Sequence, residues 1–351
     1  MTAASTTLDS LGFLDSLEGL PEQLVAAHAD AGKLDLSRLP QPEAIDSIAV
    51  LGMGGSGIVG DVLLSVGTAT LPIPIVVLKY IRTPAFVGPR TLAFAISYSG
   101  DTEETLEMTR GALDSGAHVV TMSSGGELAR IAQERGLLHV PCPPGLMPRA
   151  AIGALVAPVF VVLFRMGMLP EAHAGLVKAQ EQLARRRDHC KSAVVGAANP
   201  ARELARRIGR TIPIIYGVGG LGRVAAYRWK CSMNENAKAP AFYNFYPELD
   251  HNEISGWGQH GDVTRQVFSL IELRHGLEHE TLERRVAITR EMIEETVAQV
   301  LTVEADGEGR LAQLLDLMYL GDWTSAYVAL ENDVDPGPID AIAQLKANLG
   351  R

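Results

Sequence analysis

From about residue 46 the chain alternates two kinds of segment. Short β-rich runs, SIAVLGMG, PIVVLKY, TLAFAISYS and AHVVTMSS, are each followed by a turn and a helix-like stretch, such as DTEETLEMTRGALDSG after the third. Apolar runs of strand length separated by helical lengths of chain predict a parallel sheet with helices on both faces. Residues 150–209 predict helix, from the apolar AAIGALVAPVFVVLF into the charged KAQEQLARRRDHCKS. A second set opens with TIPIIYGVGG and continues through RQVFSLIELRHG, a helix over about 279–297, QVLTVEADG and two terminal helices. The predicted fold class is α/β: two subdomains, each a mainly parallel sheet flanked by helices in three αβα layers. The expected division is an N-terminal helical extension over 1–45, a first subdomain over 46–170 and a second over 171–351 with C-terminal helices.

The two sets echo each other. LGMGGSGIV (51–59) and YGVGGLGRV (216–224) share five of nine residues, and both follow a β-rich run and precede a helical one. This suggests one plan used twice. The copies differ where it matters for chemistry, because Ser56 in the first faces Leu221 in the second. If the first loop holds an anion through a hydroxyl, the second has lost that group.

Composition narrows the function classes. The 351 residues are 47% hydrophobic and 21% charged, an ordinary globular balance with enough chain for a large core. A formal net charge of −10 argues against a general nucleic-acid binder. The longest near-apolar run, Ala150 to Phe164, is shorter than the roughly 20 residues of a membrane span, so no membrane partner is expected. The first 20 residues carry Asp9, Asp15 and Glu18 and no basic stretch before an apolar core, a poor signal peptide. Cys142, Cys190 and Cys231 have no zinc-ligand spacing and are too few for a disulfide framework, so a reducing cytoplasm is expected.

Candidate chemistry begins at the first glycine loop. Gly52, Gly54 and Gly57 match G-x-G-x-x-G between a strand and a helix, where close backbone approach and a helix N-terminus favour an anion. A dinucleotide site also wants an acid near the end of the second strand. That strand ends in Lys79 and Tyr80, which makes a nicotinamide cofactor the minority reading. The third strand ends in SYSGDTEET, placing Ser97, Ser99 and Thr102 at a strand-to-helix turn. One hydroxyl suffices to cap a helix. Three, next to the Ser56 loop, make a nest for a phosphate monoester at the carboxyl edge of the sheet.

GMGGSGIVGD followed by SYSGDTEETL resembles the sugar isomerase (SIS) domain. PPGLMPRAAIGAL, WKCSMNENAKAPAF, YPELDHNEISGW and YLGDWTSAYVALENDVDPGPIDAIAQLK extend the resemblance. Together, in family order from about residue 46 to the C-terminus, they are similar to the bifunctional phosphoglucose/phosphomannose isomerases of archaea and some bacteria. The resemblance implies two SIS-type subdomains and a hexose 6-phosphate substrate. It also implies no metal or other cofactor, and a homodimer with shared active sites. It implies a phosphate site at Gly55, Ser56, Ser97, Ser99 and Thr102.

Four further residues gain roles from it. Glu235, in MNENAK, reads on pattern alone as a solvated helix glutamate. The family's base lies in the matching block, and one carboxylate can carry a proton between adjacent carbons. Arg149 otherwise reads as a surface arginine after a proline turn. The resemblance makes it the guanidinium that stabilises enediolate oxygens, although PPGLMPRAAIG is longer or altered before it than the family's PPRAALG-like block. His251 stands in a polar stretch that reads alone as a solvated loop. The matching family histidine assists ring opening from the neighbouring subunit, work suited to a group that titrates near neutral pH. Lys346 has the spacing of an ordinary helix lysine, and the family's lysine there reaches the sugar. Use of mannose 6-phosphate is tied in the family to a small polar residue upstream of that lysine. Here Gly337 and Ile339 fall in that region, with no Thr or Gln between Asp333 and Ile342.

A non-catalytic sugar-phosphate sensor on the same fold would keep the hydroxyl nest and need neither Glu235 nor His251. Both are present, which favours the isomerase. His260, His275 and His279 form no H-E-x-x-H or comparable set, which disfavours a metal-dependent mannose isomerase.

Overall fold

The computed structural model describes residues 8–350. In chain order the elements begin with helices α1 (Phe13–Glu18) and α2 (Leu20–Ala31), then β1 (Ser47–Leu51), α3 (Gly54–Gly67), β2 (Ile75–Leu78), β3 (Thr91–Ile96), α4 (Glu103–Asp114), β4 (His118–Ser123), α5 (Gly126–Arg135) and β5 (Leu138–Pro141). Three helices follow, α6 (Ile152–Arg165), α7 (Ala172–Cys190) and α8 (Pro200–Ile208). The second set is β6 (Ile212–Val218), α9 (Gly219–Glu235), β7 (Phe242–Tyr246), α10 (Gly261–Val267), β8 (Phe268–Arg274), α11 (Glu280–Ile293), β9 (Gln299–Glu304), α12 (Arg310–Glu331) and α13 (Asp340–Asn348). The chain forms two compact units. The first is Gly19–Glu181 with Gly309–Ala312, and the second comprises the other described residues.

Each unit is an α/β layer structure, as the sequence predicts. The first holds a five-stranded sheet in the order β2-β1-β3-β4-β5, and the second a four-stranded sheet in the order β7-β6-β8-β9. Every pairing is parallel. The glycine-loop strand therefore lies between the second and third strands of its set in both units. β3 is buried along its whole length, as expected of a central strand covered on both faces. Burying each Leu, Ile or Phe there contributes about 1.5–3 kcal/mol.

The two loops agree in backbone as well as in sequence. Gly54 and Gly219 occupy the same place and both have positive φ, 51° and 61°. A Cβ on Gly57 would lie 2.5 Å from the Gly52 carbonyl oxygen, and one on Gly222 would lie 2.7 Å from the Gly217 carbonyl carbon. Only glycine fits such crossings.

Several sequence expectations are corrected. No helix follows β2, because the connection to β3 contains Pro84, Gly88 and Pro89, which interrupt helical hydrogen bonding. RQVFSLIELRHG is not one strand, since Arg265–Val267 close α10 and β8 begins at Phe268. Strands β5 and β7 are additional to those read from the pattern. The polar stretch 246–257 is two 3-10 turns, Glu248–His251 and Glu253–Gly258, rather than an irregular loop. The apolar run at 150–164 becomes the buried α6, and among the described residues no helix is long and apolar enough to cross a membrane. Residues 1–7 of the N-terminal extension lie outside the described residues.

Candidate active site

In the first unit the hydroxyl nest forms at the carboxyl ends of β1 and β3. Ser56 lies in the first turn of α3, buried, and its Oγ accepts the Tyr98 backbone N–H at 3.2 Å. Ser97 Oγ lies 2.9 Å from Thr102 Oγ1 and accepts the Gly100 N–H at 3.1 Å. Thr102 occupies the N-cap position of α4, yet its hydroxyl makes no capping bond. A threonine serving as a cap would bond the helix N–H groups. Here the hydroxyl turns to Ser97 instead. Ser99 is exposed, and its Oγ accepts the Asp101 N–H at 3.3 Å.

Arg149 sits in a 3-10 turn, Pro148–Ala150, just before α6, and is 7% exposed. Its backbone lies against the nest. A Cβ on Gly55 would meet the Pro148 oxygen at 3.3 Å and Arg149 Cα at 3.6 Å. Gly55, Ser56, Ser97, Thr102 and the Arg149 backbone are thus brought together within one unit. Lys79, which stands where a dinucleotide site would have a ribose-binding acid, forms an ion pair with Asp61 of α3.

The second unit carries the remaining candidates on three separate elements. Glu235 is the last residue of α9 and half-buried. The helix beneath it is held firmly. Arg228 Nε and Nη2 donate to the Asp322 carboxylate at 2.8 and 3.0 Å, and Ser232 Oγ donates to the same group at 2.6 Å. Removing one member of such a buried pair typically costs about 3–5 kcal/mol. Trp229 Nε1 donates to the Leu317 carbonyl at 2.7 Å, and the Asn236 amide donates to Ser325 Oγ at 2.9 Å. Lys238 Nζ donates to the Glu235 carbonyl at 2.9 Å, which fixes the backbone after the helix.

His251 ends the first 3-10 turn after β7 and is exposed. Its neighbours, not its ring, anchor the stretch. The Asp250 carboxylate accepts from Thr289 at 2.9 Å and from Arg285 at 3.3 Å. Glu253 accepts from the Asn244 amide and from the Tyr216 hydroxyl, which in turn accepts from Trp257 Nε1 at 3.0 Å. Burial, then the Glu253 carboxylate, holds the Tyr216 phenol far above its ordinary range. This anchor was not anticipated from the sequence, where Glu253 had no assigned partner. Lys346 lies on α13, which is exposed throughout. Among the described residues no hydrogen bond or ion pair links Glu235, His251 and Lys346, and no cluster of three or more His, Cys, Asp or Glu is placed to hold a metal.

Tyr98 is a further anchor that no spacing in the sequence reveals, because it stands between two serines. It is 6% exposed, and its phenol bonds the loop that precedes Arg149.

Two parallel sheets entered through matching glycine loops, one with a hydroxyl nest at its carboxyl edge, define a double SIS-type α/β protein. A glucose-6-phosphate isomerase like protein from Thermus thermophilus shares this fold with a TM-score of 0.62 at 21% identity, covering 99% of this chain and 98% of that one. The model for the bacterial phospho-glucose isomerase C-terminal SIS domain matches residues 197–349. A bifunctional phosphoglucose/phosphomannose isomerase of Caldicellulosiruptor bescii is 34% identical over 95% of this chain and 98% of its own length. That of Aquifex aeolicus is 31% identical over 86% of this chain and 90% of its own. The chain belongs to the bifunctional phosphoglucose/phosphomannose isomerase family.

Proposed function

We propose that this protein is an aldose–ketose isomerase that interconverts glucose 6-phosphate, and mannose 6-phosphate as a second substrate, with fructose 6-phosphate. The reaction runs through an enediolate and draws on no metal. The observation that carries this reading is the Thr102 hydroxyl, which leaves its helix uncapped and joins Ser97 beside the Ser56 turn. Hydroxyls arranged so, with the free N–H groups of a helix N-terminus, suit a phosphate monoester.

The reaction needs an opened ring, a base that moves a proton between C2 and C1, and a partner for enediolate charge. Glu235 is assigned as the base, since one carboxylate can serve two adjacent carbons. A rigid helix end favours it, because proton transfer depends on placement. Arg149 is assigned to the enediolate oxygens, where a fixed guanidinium needs no reorganisation during reaction. Ser56, Ser97, Ser99, Thr102 and the Gly55 backbone hold the phosphate, so its binding energy orients the carbons that react. His251 opens the ring and Lys346 contacts the sugar. The exposure of both supports their service in the site of a second copy, in a cytoplasmic homodimer with shared sites.

The test is conversion of fructose 6-phosphate to glucose 6-phosphate and to mannose 6-phosphate, with a chelator present. Glu235→Gln is expected to lower kcat by about 10²–10⁴-fold. Activity that survives the substitution removes Glu235 as base. A wild-type protein that binds sugar phosphate without converting it leaves the sensor reading. The ratio of the two products measures the effect of Gly337 and Ile339. Mixing inactive Glu235→Gln with inactive His251→Ala chains is expected to restore part of the activity. No recovery after confirmed subunit exchange would show that each site is built from one chain.

A further inference from the structure

We infer that Tyr98 is the positioning residue for Arg149, its hydroxyl clamping the loop that carries the guanidinium to the strand that carries the phosphate nest. The inference rests on the isomerase reading above and concerns the first unit alone. Tyr98 is the second residue after β3, between Ser97 and Ser99. Its backbone is tied to the nest on one side and to the exit of β4 on the other. Its N–H donates to Ser56 Oγ at 3.2 Å, and its carbonyl accepts from the N–H and the hydroxyl of Ser124, both at 2.8 Å. The ring then reaches the segment after β5. The phenol donates to the Pro143 carbonyl at 2.8 Å and accepts the Leu146 N–H at 2.7 Å.

The two bonds bracket the exposed Pro144–Gly145 bend, so the hydroxyl closes a short loop at both of its ends. Two residues beyond Leu146 the chain enters the Pro148–Ala150 turn, whose Pro148 oxygen and Arg149 Cα abut Gly55. One side chain therefore bonds the Arg149 loop while its own backbone bonds Ser56. A displacement of the loop would move the guanidinium without moving the phosphate. Misplacement of a reacting group by about 1 Å can lower rate by about 10²-fold.

The hydroxyl is removed with the ring retained in Tyr98→Phe. The expected result is a fall in kcat of about 10- to 100-fold, with KM for fructose 6-phosphate and inhibition by inorganic phosphate changed by less than about two-fold. A role in general stability would not separate kcat from KM. In an Arg149→Ala background the same substitution is expected to change kcat no further, because residues that act through one another are not additive. A second readout is independent of activity. Burial pushes the Cys142 and Cys190 thiols up to about 12. Cys142 adjoins the clamped loop, so its alkylation in the native protein is expected to rise several-fold in Tyr98→Phe, with Cys190 as the unchanged control.

Wild-type kcat together with unchanged Cys142 protection would overturn the inference, as would full additivity with Arg149→Ala. A wild-type protein without isomerase activity would instead overturn the functional reading, and Cys142 labelling would still report whether Tyr98 holds the loop. If Tyr98→Phe does not fold, 4-aminophenylalanine at position 98 restores a donor to Pro143. It is then expected to retain more than half of wild-type kcat, and a loss as large as that of Arg149→Ala would refute the clamp.

Discussion

The exits of β3 and β8 occupy the same place in their two sheets and have opposite fates. The register pairs Leu51 with Ala95 in the first unit and Tyr216 with Glu272 in the second, so Ser97 corresponds to Arg274 and Tyr98 to His275. In the first unit that position presents hydroxyls. In the second it is filled from within. Glu278 accepts from Arg274 Nε at 3.0 and 2.9 Å, from Nη2 at 2.6 Å and from the His275 N–H at 2.7 Å. His275 Nε2 donates to the Val218 carbonyl at 2.9 Å, closing the glycine loop that Ser56 leaves polar in the first unit. Leu221 is buried in place of that serine. The matching carboxylate of the first unit, Asp101, turns away and accepts the Glu127 N–H at 2.9 Å. The second unit thus carries its own anion at this position. On the proposed reading of the first unit, one plan used twice leaves one phosphate site per chain.

The strongest way to break this contrast is to give the first unit a carboxylate as well. Thr102→Asp places one beside Ser97, and aspartate is as good an N-cap as threonine, so α4 keeps its start. A charge about 4 Å from one phosphate charge at an effective dielectric of about 20 is worth roughly 4 kcal/mol. The expected outcome is a rise in KM for fructose 6-phosphate of about 10³-fold, with unfolding free energy changed by less than about 1 kcal/mol. Steady-state kinetics and urea unfolding measure the two quantities. Unchanged KM would mean that the phosphate does not sit at the β3 exit.

Much of this was legible in the sequence, and the exceptions have physical causes. The central strands were readable because they are continuous apolar runs, and the glycine loops because their backbone crossings exclude every other residue. β5 and β7 were not. LHVP is four residues long and ends in proline, and FYNFY is an edge strand whose Phe242 and Tyr243 are exposed, so neither shows a burial period. The β2–β3 connection looked helical only by analogy with its neighbours. At the site, the residue types of SYSGDTEET announced hydroxyl chemistry. What those hydroxyls bond depends on contacts across the sheet edge, such as Ser56 to Tyr98, separated by 42 positions. Tyr98 and Glu253 were invisible as anchors for the same reason. Their partners are a loop carbonyl and a strand tyrosine, and no spacing rule joins them.

A smaller effect tests the second unit from the other side. Glu278 is almost fully buried and Arg274 largely so, with side-chain exposures of 2% and 18%. Glu278→Gln keeps one acceptor and removes the charge, leaving the guanidinium with weaker compensation. Hydrogen bonds to charged groups contribute about 1.5–3 kcal/mol, so a destabilisation of about 2 kcal/mol is expected by urea unfolding. The catalytic consequence should be slight, because this carboxylate bonds Arg274 and the His275 N–H and none of the proposed site residues. KM for fructose 6-phosphate is expected to stay within about two-fold of wild type. Equilibrium dialysis should still find one inorganic phosphate per chain, since a freed Arg274 lacks the hydroxyls and the open glycine loop that accompany it in the first unit. A second phosphate bound by Glu278→Gln would show that the carboxylate alone closes the site, and that Leu221 and His275 contribute nothing to the difference between the two exits.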